Sequence, residues 1–452
     1  MLRKICAVPL STCGFVLLLL VPFFGCSSNQ KLITSPATNP GTGGTGTGGT
    51  GGTGGGSTGS GSGGGSGSSS TVAAYVYVSN SPAGNYQYQV TAYSADANGQ
   101  LTPVAGSPFN DNVAGISVSG SYLMGNTVTQ VSASGATSNN YIDSYKIGSD
   151  GSLTAASQTN IDQFGSGCGS NAGVLSGPAG QAVYEIEVNI DCATNKGIAS
   201  FSVDQSTGNL NYLGDMVTGR SGIYGFSFGG DNAYAWASGA GCGSLYPFFQ
   251  FERSSSGLLD GNSTASGPWP PVPTPPPGST GGYIPTLTAA DSANHVVLAE
   301  DPCFSQGGPS PEQTQLAAYT VGADGSLTTT DTYATMPAAA LLTTVNGLLS
   351  ISPSDKYLAV ADYGGLEIYH FNGANPITPD TGLLTSDNIS AIAWDKNDHL
   401  YAITATETVT PAGGLANANT LYVFTVTATG ATQAPGSPYT IAFPTGLAVQ
   451  SQ

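Results

Sequence analysis

The sequence has very few positive charges. Its 452 residues include 9 Lys and Arg and 3 His, against 27 Asp and Glu, which gives a formal net charge of −18. Such a chain repels nucleic acid and other polyanions, because these ligands are held by clustered Lys and Arg. A phosphorylated sugar would also need several cationic groups. The composition therefore excludes a nucleic-acid partner and disfavours anionic substrates.

The sequence also lacks the spacings that hold metals. It contains no CxxC pair, and its histidines do not flank its cysteines, so no zinc site is expected. Its Asp-Gly turns lack the density of oxygen ligands found in a calcium loop. The sequence predicts no metal and no cofactor.

The first 25 residues have the pattern of an export signal. Arg3 and Lys4 are followed by an apolar stretch from Gly14 to Phe24, which is too short for a comfortable membrane span. The segment Phe23-Phe24-Gly25-Cys26 then resembles the lipobox of bacterial lipoproteins. That resemblance implies cleavage after residue 25 and diacylglycerol on the Cys26 thiol. The alternative is an ordinary signal peptide with an incidental cysteine.

The lipobox resemblance implies a lipid-anchored protein of the cell envelope, outside the cytoplasm. Ser27, in place of Asp after the cysteine, points to the outer membrane. The mature chain would keep 7 Lys and Arg against 27 acidic residues, a formal charge of −20. Residues 26–71 would form a tether, since residues 41–71 are only Gly, Ser and Thr and cannot bury enough apolar surface to fold. Its root-mean-square span is roughly 30 Å.

Residues 72–452 have the composition of a globular β protein, which could form two ordinary domains or one repeat array. One phrase recurs seven times: an apolar residue, an aromatic residue three positions later, and then a turn that usually contains Gly. The aromatic residues of the seven copies are Tyr93, Tyr145, Phe201, Phe251, Tyr319, Tyr369 and Phe424. Their separations are 52, 56, 50, 68, 50 and 55 residues. About four strands per copy without helical periodicity is typical of a propeller blade.

The two ends of this region predict how the ring closes. The first copy lacks its innermost strand, because Val72 follows directly on the tether, and the last copy is followed by a surplus strand at Thr445–Val449. Pairing these ends removes two sheet edges at once. The sequence thus predicts an all-β fold, a seven-bladed β-propeller closed when the C-terminal strand joins the N-terminal blade.

Four cysteines of the mature chain, besides Cys26, suggest two disulfides in an exported protein. With strands labelled a to d from the axis outward, all four fall on the side of the disc that carries the d–a and b–c loops, called the loop face below. An insert at Pro268–Thr280, rich in proline, is expected as an irregular or polyproline loop on the same face. The predicted pairs are Cys168–Cys192 and Cys242–Cys303.

The blade phrases resemble those of the lactonase family of seven-bladed propellers, which includes 6-phosphogluconolactonases and a muconate cyclase. Examples are Ala92-Tyr93-Ser94 with Gly99-Gln100-Leu101, and Ser352-Pro353-Ser354-Asp355-Lys356-Tyr357-Leu358. The likeness covers essentially residues 72–452. It implies the fold, whereas fold alone does not imply function.

In an active member, the resemblance implies His, Arg and acidic side chains in the central cleft. The His expected at the start of strand a is replaced by Gly347 in blade 6, and the corresponding place in blade 1 is near Gly446. Arg220, ahead of strand a of blade 4, is the one cation placed like a ligand contact. The three histidines are expected to have structural roles: His295, His370 and His399.

Two apparent catalytic motifs are expected to be structural. Gly225–Gly229 matches GxSxG, but that motif works on a strand-to-helix turn and here it falls inside an inner strand. Glu185 and Glu187 share one face of a strand in blade 3, where paired carboxylates can hold a cation or transfer protons. Hydrogen-bonded or edge-exposed acids are the simpler interpretation of that pair.

Two functions therefore compete. The favoured hypothesis is a non-catalytic binding or structural module whose loop face contacts a glycan or a protein. The residues predicted to make these contacts are Arg220, Tyr246, Trp269, Tyr283 and Tyr363. The alternative is a lactonase-like hydrolase of a neutral sugar lactone that uses Arg220 with acids of the cleft.

Overall fold

A computed structural model shows seven antiparallel sheets arranged around an axis. The residues that it describes are 71–82, 87–127, 130–131, 137–138, 141–161, 171–187, 198–216, 223–230, 232–237, 248–260, 272–308, 313–342, 347–405, 408–409, 415–416 and 419–452. The sheets are numbered here as blades 1 to 7 in chain order.

The two inner strands of each blade are the most regular. The innermost strands, a, of blades 1 to 7 are Pro444–Ser451, Val113–Ser119, Asn171–Ser176, Ile223–Gly229, Thr280–Ala290, Leu348–Ile351 and Ile389–Trp394. The b strands are Ala74–Asn80, Tyr122–Thr127, Ala182–Glu187, Asn232–Ala237, His295–Gln306, Tyr357–Asp362 and His399–Thr404. A short 3-10 helix, Pro178–Gly180, joins strands a and b of blade 3.

The outer strands complete each sheet. The c strands are Gln89–Ala95, Tyr141–Ile147, Ile198–Val203, Phe248–Arg253, Gln315–Val321, Gly365–His370 and Thr420–Thr427. The d strands are Leu101–Pro103, Leu153–Asn160, Leu210–Met216, Leu259–Asp260, Leu327–Thr328, Thr378–Pro379 and Gly430–Gln433. The remaining short strands are Gln130–Val131 with Thr137–Ser138, Thr408–Val409 with Leu415–Ala416, and Tyr439–Thr440 beside strand c of blade 7. No helix in these described segments is long and apolar enough to cross a bilayer.

Each sheet is buried on both faces. Leu358 and Val360 of blade 6 pack in a core shared with blade 5, whereas Ala359 and Ala361 of the same strand pack in a core shared with blade 7. The same division recurs between each pair of neighbouring blades. A fully buried Leu or Val contributes about 1.5–3 kcal/mol through burial. This arrangement explains why the b strands are nearly continuous apolar runs instead of alternating apolar and polar residues.

The C-terminal strand closes the ring. Pro444–Ser451 pairs antiparallel with Ala74–Asn80 and occupies the innermost position of blade 1. The pairing extends past the strands, since the Gln452 amide donates to the Ala73 carbonyl at 2.9 Å. The predicted seven-bladed fold is confirmed, and so is its closure.

The two faces of the disc carry different connections. The loop face carries the d–a and b–c loops, for example Asp111 and the Asp362–Gly365 turn. The opposite side carries the a–b and c–d turns, for example those that begin at Asp96 and Asp395, and is called the turn face. Strand a of blade 1 ends at the turn face and strand b begins there. Residue 71 and the C-terminus therefore lie side by side on the turn face.

The insert ahead of blade 5 explains the longest gap between repeats. Residues 272–279 contain only an isolated bridge, from Thr274 to Thr332, so their predicted irregular conformation is confirmed. Beyond it, strands a and b of blade 5 run for 11 and 12 residues and extend past the disc on the loop face. The Tyr283 and Phe304 rings meet edge to face in this extension, 5.2 Å apart. Its length was not predicted from the sequence.

Tyrosines of the b strands bond to the glycine turns of the next blade. Tyr77 Oη donates to the Gly151 carbonyl at 3.0 Å, Tyr184 Oη to Gly257 at 2.7 Å, and Tyr234 Oη to Gly325 at 3.3 Å. The three glycines have φ of +82°, +93° and +76°, which favours glycine. A Cβ on Gly257 would also collide with Ala182. Tyrosine and glycine, 73 to 91 residues apart in the chain, thus hold neighbouring blades in register.

We expect Tyr184→Phe to lower the free energy of unfolding by about 1–2 kcal/mol, because the Gly257 carbonyl loses a buried partner. Gly257→Ala should cost more, since it adds a collision and a disfavoured φ. Urea unfolding followed by circular dichroism measures both changes. Tyr141→Phe is the control, because no hydrogen bond of its hydroxyl occurs among the described residues; equal losses for Tyr141 and Tyr184 would contradict the interpretation.

Candidate functional site

Hydroxyl groups lie at mid-height on the inner strands. Ser117 Oγ donates to Ser176 Oγ at 2.7 Å between blades 2 and 3, and Ser227 Oγ and Thr288 Oγ1 are 2.7 Å apart between blades 4 and 5. All four side chains are buried. Ser350 of blade 6 is also buried, and its Oγ has no hydrogen-bond partner among the described residues. The inner strands near the axis thus present neutral hydroxyl groups.

A narrow cleft opens beside Ser227, Thr288 and Ser350, between the inner strands of blades 4, 5 and 6. Its lining is Phe226–Phe228, Thr288–Ala290 and Leu349–Ile351. Only a water-sized group fits its closed part. The lining contains no carboxylate, imidazole or guanidinium, so this cleft offers apolar contact and hydroxyl groups but no general acid or base.

The GxSxG segment lies where the sequence predicted it, inside strand a of blade 4. Ser227 is 8% exposed and shares its hydrogen bond with Thr288. A nucleophilic serine needs a base within hydrogen-bond reach and a sharp exposed turn. Ser227 has a hydroxyl partner and lies inside a strand, so the segment has a structural role.

Blade 5 carries two acidic side chains near the loop face, of which Glu300 is buried and Asp301 is half-buried. Glu300 is 1% exposed, and Tyr319 Oη donates to its Oε1 at 2.6 Å. Burial raises the pKa of Glu300 to about 7. Burial likewise raises the pKa of Asp301, to which the Thr314 hydroxyl donates. Glu300 follows Val296 and Leu298 on the strand face that packs against blade 4, so it lies in the protein interior and away from the cleft.

The structure describes one of the two side chains in the predicted carboxylate pair of blade 3. Glu185 is fully buried in strand b, on the same side of the strand as Val183, which packs against blade 2. The backbone of Glu187 is described, whereas its side chain lies outside the described part. No group of three or more His, Cys, Asp or Glu side chains in the described residues is placed to hold a metal ion.

The three histidines pair with aspartates on the turn-face side. His399 Nδ1 lies 2.7 Å from Asp395 Oδ2, His295 Nδ1 lies 2.7 Å from Asp291 Oδ2, and His370 Nε2 lies 3.0 Å from Asp380 Oδ1. His295 and His399 begin b strands, and each follows its aspartate by four residues. These pairs close the a–b turns of blades 5 and 7. Their structural role agrees with the sequence prediction.

The predicted ligand contacts fall into three groups. Arg220, Tyr246 and Trp269 lie outside the described residues, so their roles stay predictions. Tyr283 is 5% exposed, and its hydroxyl donates to Gln315 Oε1 at 3.0 Å. Its ring therefore lies in the core and is inaccessible to a ligand in this structure. Tyr363 is 50% exposed at the tip of the b–c turn of blade 6. Of the two predicted aromatic residues that the structure describes, Tyr363 is the one that lies on the loop face within reach of a ligand.

Three exposed apolar side chains on the loop face were not predicted. Leu383 is 49% exposed, Val272 51% and Phe443 37%. Each lies in a connection from strand d to the next strand a. With Tyr363, they are four of the five large exposed apolar residues in the described segments; the fifth, Tyr212, lies on an outer strand. Single apolar residues in polar loops give a weak sequence signal, which explains why they were missed.

The cysteine predictions remain open. Cys303 is disulfide-bonded in strand b of blade 5. Its partner lies outside the described residues, as do Cys26, Cys168, Cys192 and Cys242. The predicted pairs and the lipidation of Cys26 therefore stay predictions.

We expect Glu300→Gln to stabilise the protein at pH 8 and to have little effect at pH 4. The pKa of Glu300 is raised from 4.5 to about 7 in the folded state. Folding therefore becomes less favourable once the Glu300 carboxyl is ionised in the unfolded chain. The penalty is absent below pH 4.5, grows as the pH rises, and is complete above pH 7, where it amounts to roughly 3 kcal/mol. Urea unfolding at both pH values measures it. The exposed Glu252→Gln controls for the lost charge, and a pH-independent effect of Glu300→Gln would contradict this account.

Asp395→Ala should be the most destabilising change in the a–b turns. Asp395 is fully buried and accepts from His399 Nδ1, from Tyr401 Oη at 3.0 Å and from the amides of Asn397 and His399. Removing the carboxylate leaves these donors without an acceptor. It should lower the free energy of unfolding by about 3–5 kcal/mol. Asp291→Ala is the matched control, because its partner His295 is partly exposed. Equal losses of unfolding free energy would refute the ranking.

Comparison with known proteins supports the fold and goes no further. No known protein family matches the sequence, and no curated protein matches it. Among solved structures, the chain resembles a candidate 6-phosphogluconolactonase of Bacteroides fragilis, with a TM-score of 0.55 and 13% identity, over 84% of this chain and 98% of that one. It also resembles the periplasmic gluconolactonase of Pseudomonas aeruginosa, with a TM-score of 0.51 and 13% identity, over 84% and 99% of the two chains. The chain thus has the seven-bladed propeller fold of 6-phosphogluconolactonase-like proteins.

Proposed function

We propose that this chain is a binding module of the cell envelope. In this proposal lipid on Cys26 anchors it, residues 26–71 form a flexible tether, and the propeller presents its loop face to a glycan or protein ligand. The observation that carries the proposal is the distribution of exposed apolar side chains, since Val272, Tyr363, Leu383 and Phe443 all lie on the loop face. Solvent-exposed apolar groups gathered on one surface are typical of contact sites.

The positions of the chain ends support this arrangement. Residue 71 enters strand b of blade 1 at the turn face, beside Gln452. The proposed tether would therefore start on the side of the disc opposite the loop face. The proposed ligand surface therefore faces away from the point of attachment.

The described axial lining favours binding over catalysis. The hydroxyls of Ser117, Ser227 and Thr288 are engaged with one another or with Ser176, and the cleft beside them has no titratable side chain. Hydrolysis needs a nucleophile or activated water, a base and an oxyanion-stabilising donor that converge on one point. These groups do not converge in the described part of the cleft.

The second candidate is hydrolysis of a neutral sugar lactone, in which Arg220 acts with an acid of the cleft. The fold shared with the Pseudomonas aeruginosa gluconolactonase favours it. The shortage of cations limits such a substrate to uncharged lactones.

Binding to panels of neutral oligosaccharides and short peptides, together with lactone turnover, tests the proposal on the full-length protein in detergent. We expect binding that weakens on the order of tenfold in Tyr363→Ala, because an exposed aromatic anchor is lost. Tyr212 is an exposed tyrosine on the outer strand of blade 3, and Tyr212→Ala should leave the binding affinity unchanged. Turnover of a neutral lactone that disappears in Arg220→Ala would replace the binding module by the hydrolase.

The anchor has its own test. Cys26→Ser should move the protein from the membrane fraction to the soluble fraction and abolish the incorporation of labelled fatty acid, because a thiol is needed for lipid attachment. Fractionation and labelling in the producing cell measure this. Membrane association that survives Cys26→Ser without label would refute lipidation at this residue.

A further inference from the structure

Three apolar side chains surround a glycine pair on the loop face of blade 6. Tyr363 is 50% exposed and Leu383 49%. A Cβ on Gly364 would stand 3.2 Å from Leu341 Cδ2, and one on Gly365 would stand 2.6 Å from Leu383 Cδ1. Leu341, Tyr363 and Leu383 are called the Tyr363 patch below. All three lie beside the same glycine turn, whose backbone carries no side chains of its own.

The backbone beneath the Tyr363 patch is fixed by hydrogen bonds. The Tyr363 amide donates to Asp362 Oδ1 at 2.7 Å. The Leu366 amide donates to the Thr385 carbonyl at 3.1 Å, and the Leu384 amide to the Leu366 carbonyl at 2.8 Å. A surface held in place before binding loses little conformational entropy when a partner docks.

Charge is distributed unequally between the two faces. All four Lys and Arg of the described residues lie at the turn-face ends of strands or in a–b turns: Lys146, Arg253, Lys356 and Lys396. Carboxylates occur on both faces. Those that lie in the loops of the loop face or in the strand halves next to it, and are not buried, are Asp111, Asp143, Asp215, Asp301 and Asp387. The described part of the loop face is therefore acidic and has no compensating cation.

Acidic groups also flank the Tyr363 patch itself. Glu367 follows the glycine pair on strand c and accepts from Tyr369 Oη at 3.0 Å. Asp387 is exposed, four residues after Leu383, and accepts from Tyr422 Oη at 2.5 Å. An apolar surface with an acidic border is complementary to an apolar group with a positive border.

We propose that the Tyr363 patch binds a peptide segment of a partner protein in which apolar side chains are flanked by Lys or Arg. This inference rests on the proposed binding role of the loop face. Tyr363 and Leu383 bury the apolar side chains, and the tyrosine ring also attracts a cation over its face. A second copy of this chain fits poorly, because its formal charge of −18 would bring like charges together. A neutral glycan would use the ring and leave the acidic border unused.

The probe is a pair of synthetic peptides with one shared apolar core, flanked by lysines in one and by glutamates in the other. Fluorescence anisotropy with the full-length protein in detergent gives the two affinities. We expect the lysine peptide to bind at least on the order of tenfold more tightly and to weaken as salt is raised, because the charges at the border are exposed. Tyr363→Ala with Leu383→Ala should abolish that binding. Both side chains are half exposed, so circular dichroism should show an unchanged fold.

A charge reversal distinguishes the contribution of the acidic border to binding from that of the apolar contact. Asp387→Lys should weaken the lysine peptide and strengthen the glutamate peptide, each on the order of several-fold. Asp150→Lys, an exposed aspartate of a c–d turn on the turn face, makes the same change in net charge and should leave both affinities unaltered. Equal responses to the two reversals would overturn the proposal, because the effect would then come from net charge alone.

The remaining outcomes separate this inference from the function on which it rests. Neutral oligosaccharides that bind in a Tyr363-dependent manner, with neither peptide bound, would overturn the peptide proposal and leave the binding module intact. Self-association that is lost in the Tyr363→Ala, Leu383→Ala variant would assign the patch to a second copy and overturn it too. Lactone turnover without any binding at the loop face would refute both proposals.

Discussion

Burial of every sheet on both faces is the constraint from which the rest of this structure follows. A blade exposes apolar residues on both sides, so it is stable only between two other blades, and the first and last blades must therefore meet. The strand Pro444–Ser451 satisfies this condition by entering blade 1 beside Ala74–Asn80. Between blades, hydrogen bonds from tyrosine hydroxyls to glycine carbonyls add fixed contact points to the apolar cores. The rigid ring leaves the loops free to vary in length and in polarity.

The fold was predictable because its signals are local and repeated. A turn glycine and an aromatic residue recur at intervals of about fifty residues, and the surplus strand after Thr445 showed how the ring closes. The length of the blade 5 hairpin was not predictable, because Tyr283 packs on Phe304 through contacts specific to that insert. The same contacts bury Tyr283, which its place near the loops of the loop face had put among the predicted ligand-binding aromatics. An aromatic residue near a loop gives no indication of whether its ring faces the core or the solvent.

The candidate site was predictable only as a face of the disc. Strand direction alone assigns residues to one side or the other, which placed Tyr363 correctly. Whether Leu383 is exposed depends on how the segment after strand d returns along Leu366, and that path is a tertiary property. The raised pKa of Glu300 likewise depends on burial between blades 4 and 5. The separation of cations from the described loop face emerges only after the strands have been placed.

The neighbouring positions of residue 71 and Gln452 have a mechanical consequence. A pull on residue 71 acts along Ala74–Asn80, which is hydrogen-bonded on one side to Gln89–Ala95 and on the other to Pro444–Ser451. The force runs parallel to these strands, so both ladders bear the load together and do not open one bond at a time. The strand that closes the ring is thereby also the strand that resists extraction of the N-terminal strand, and a load applied at residue 71 falls on this closure and not on the loop face.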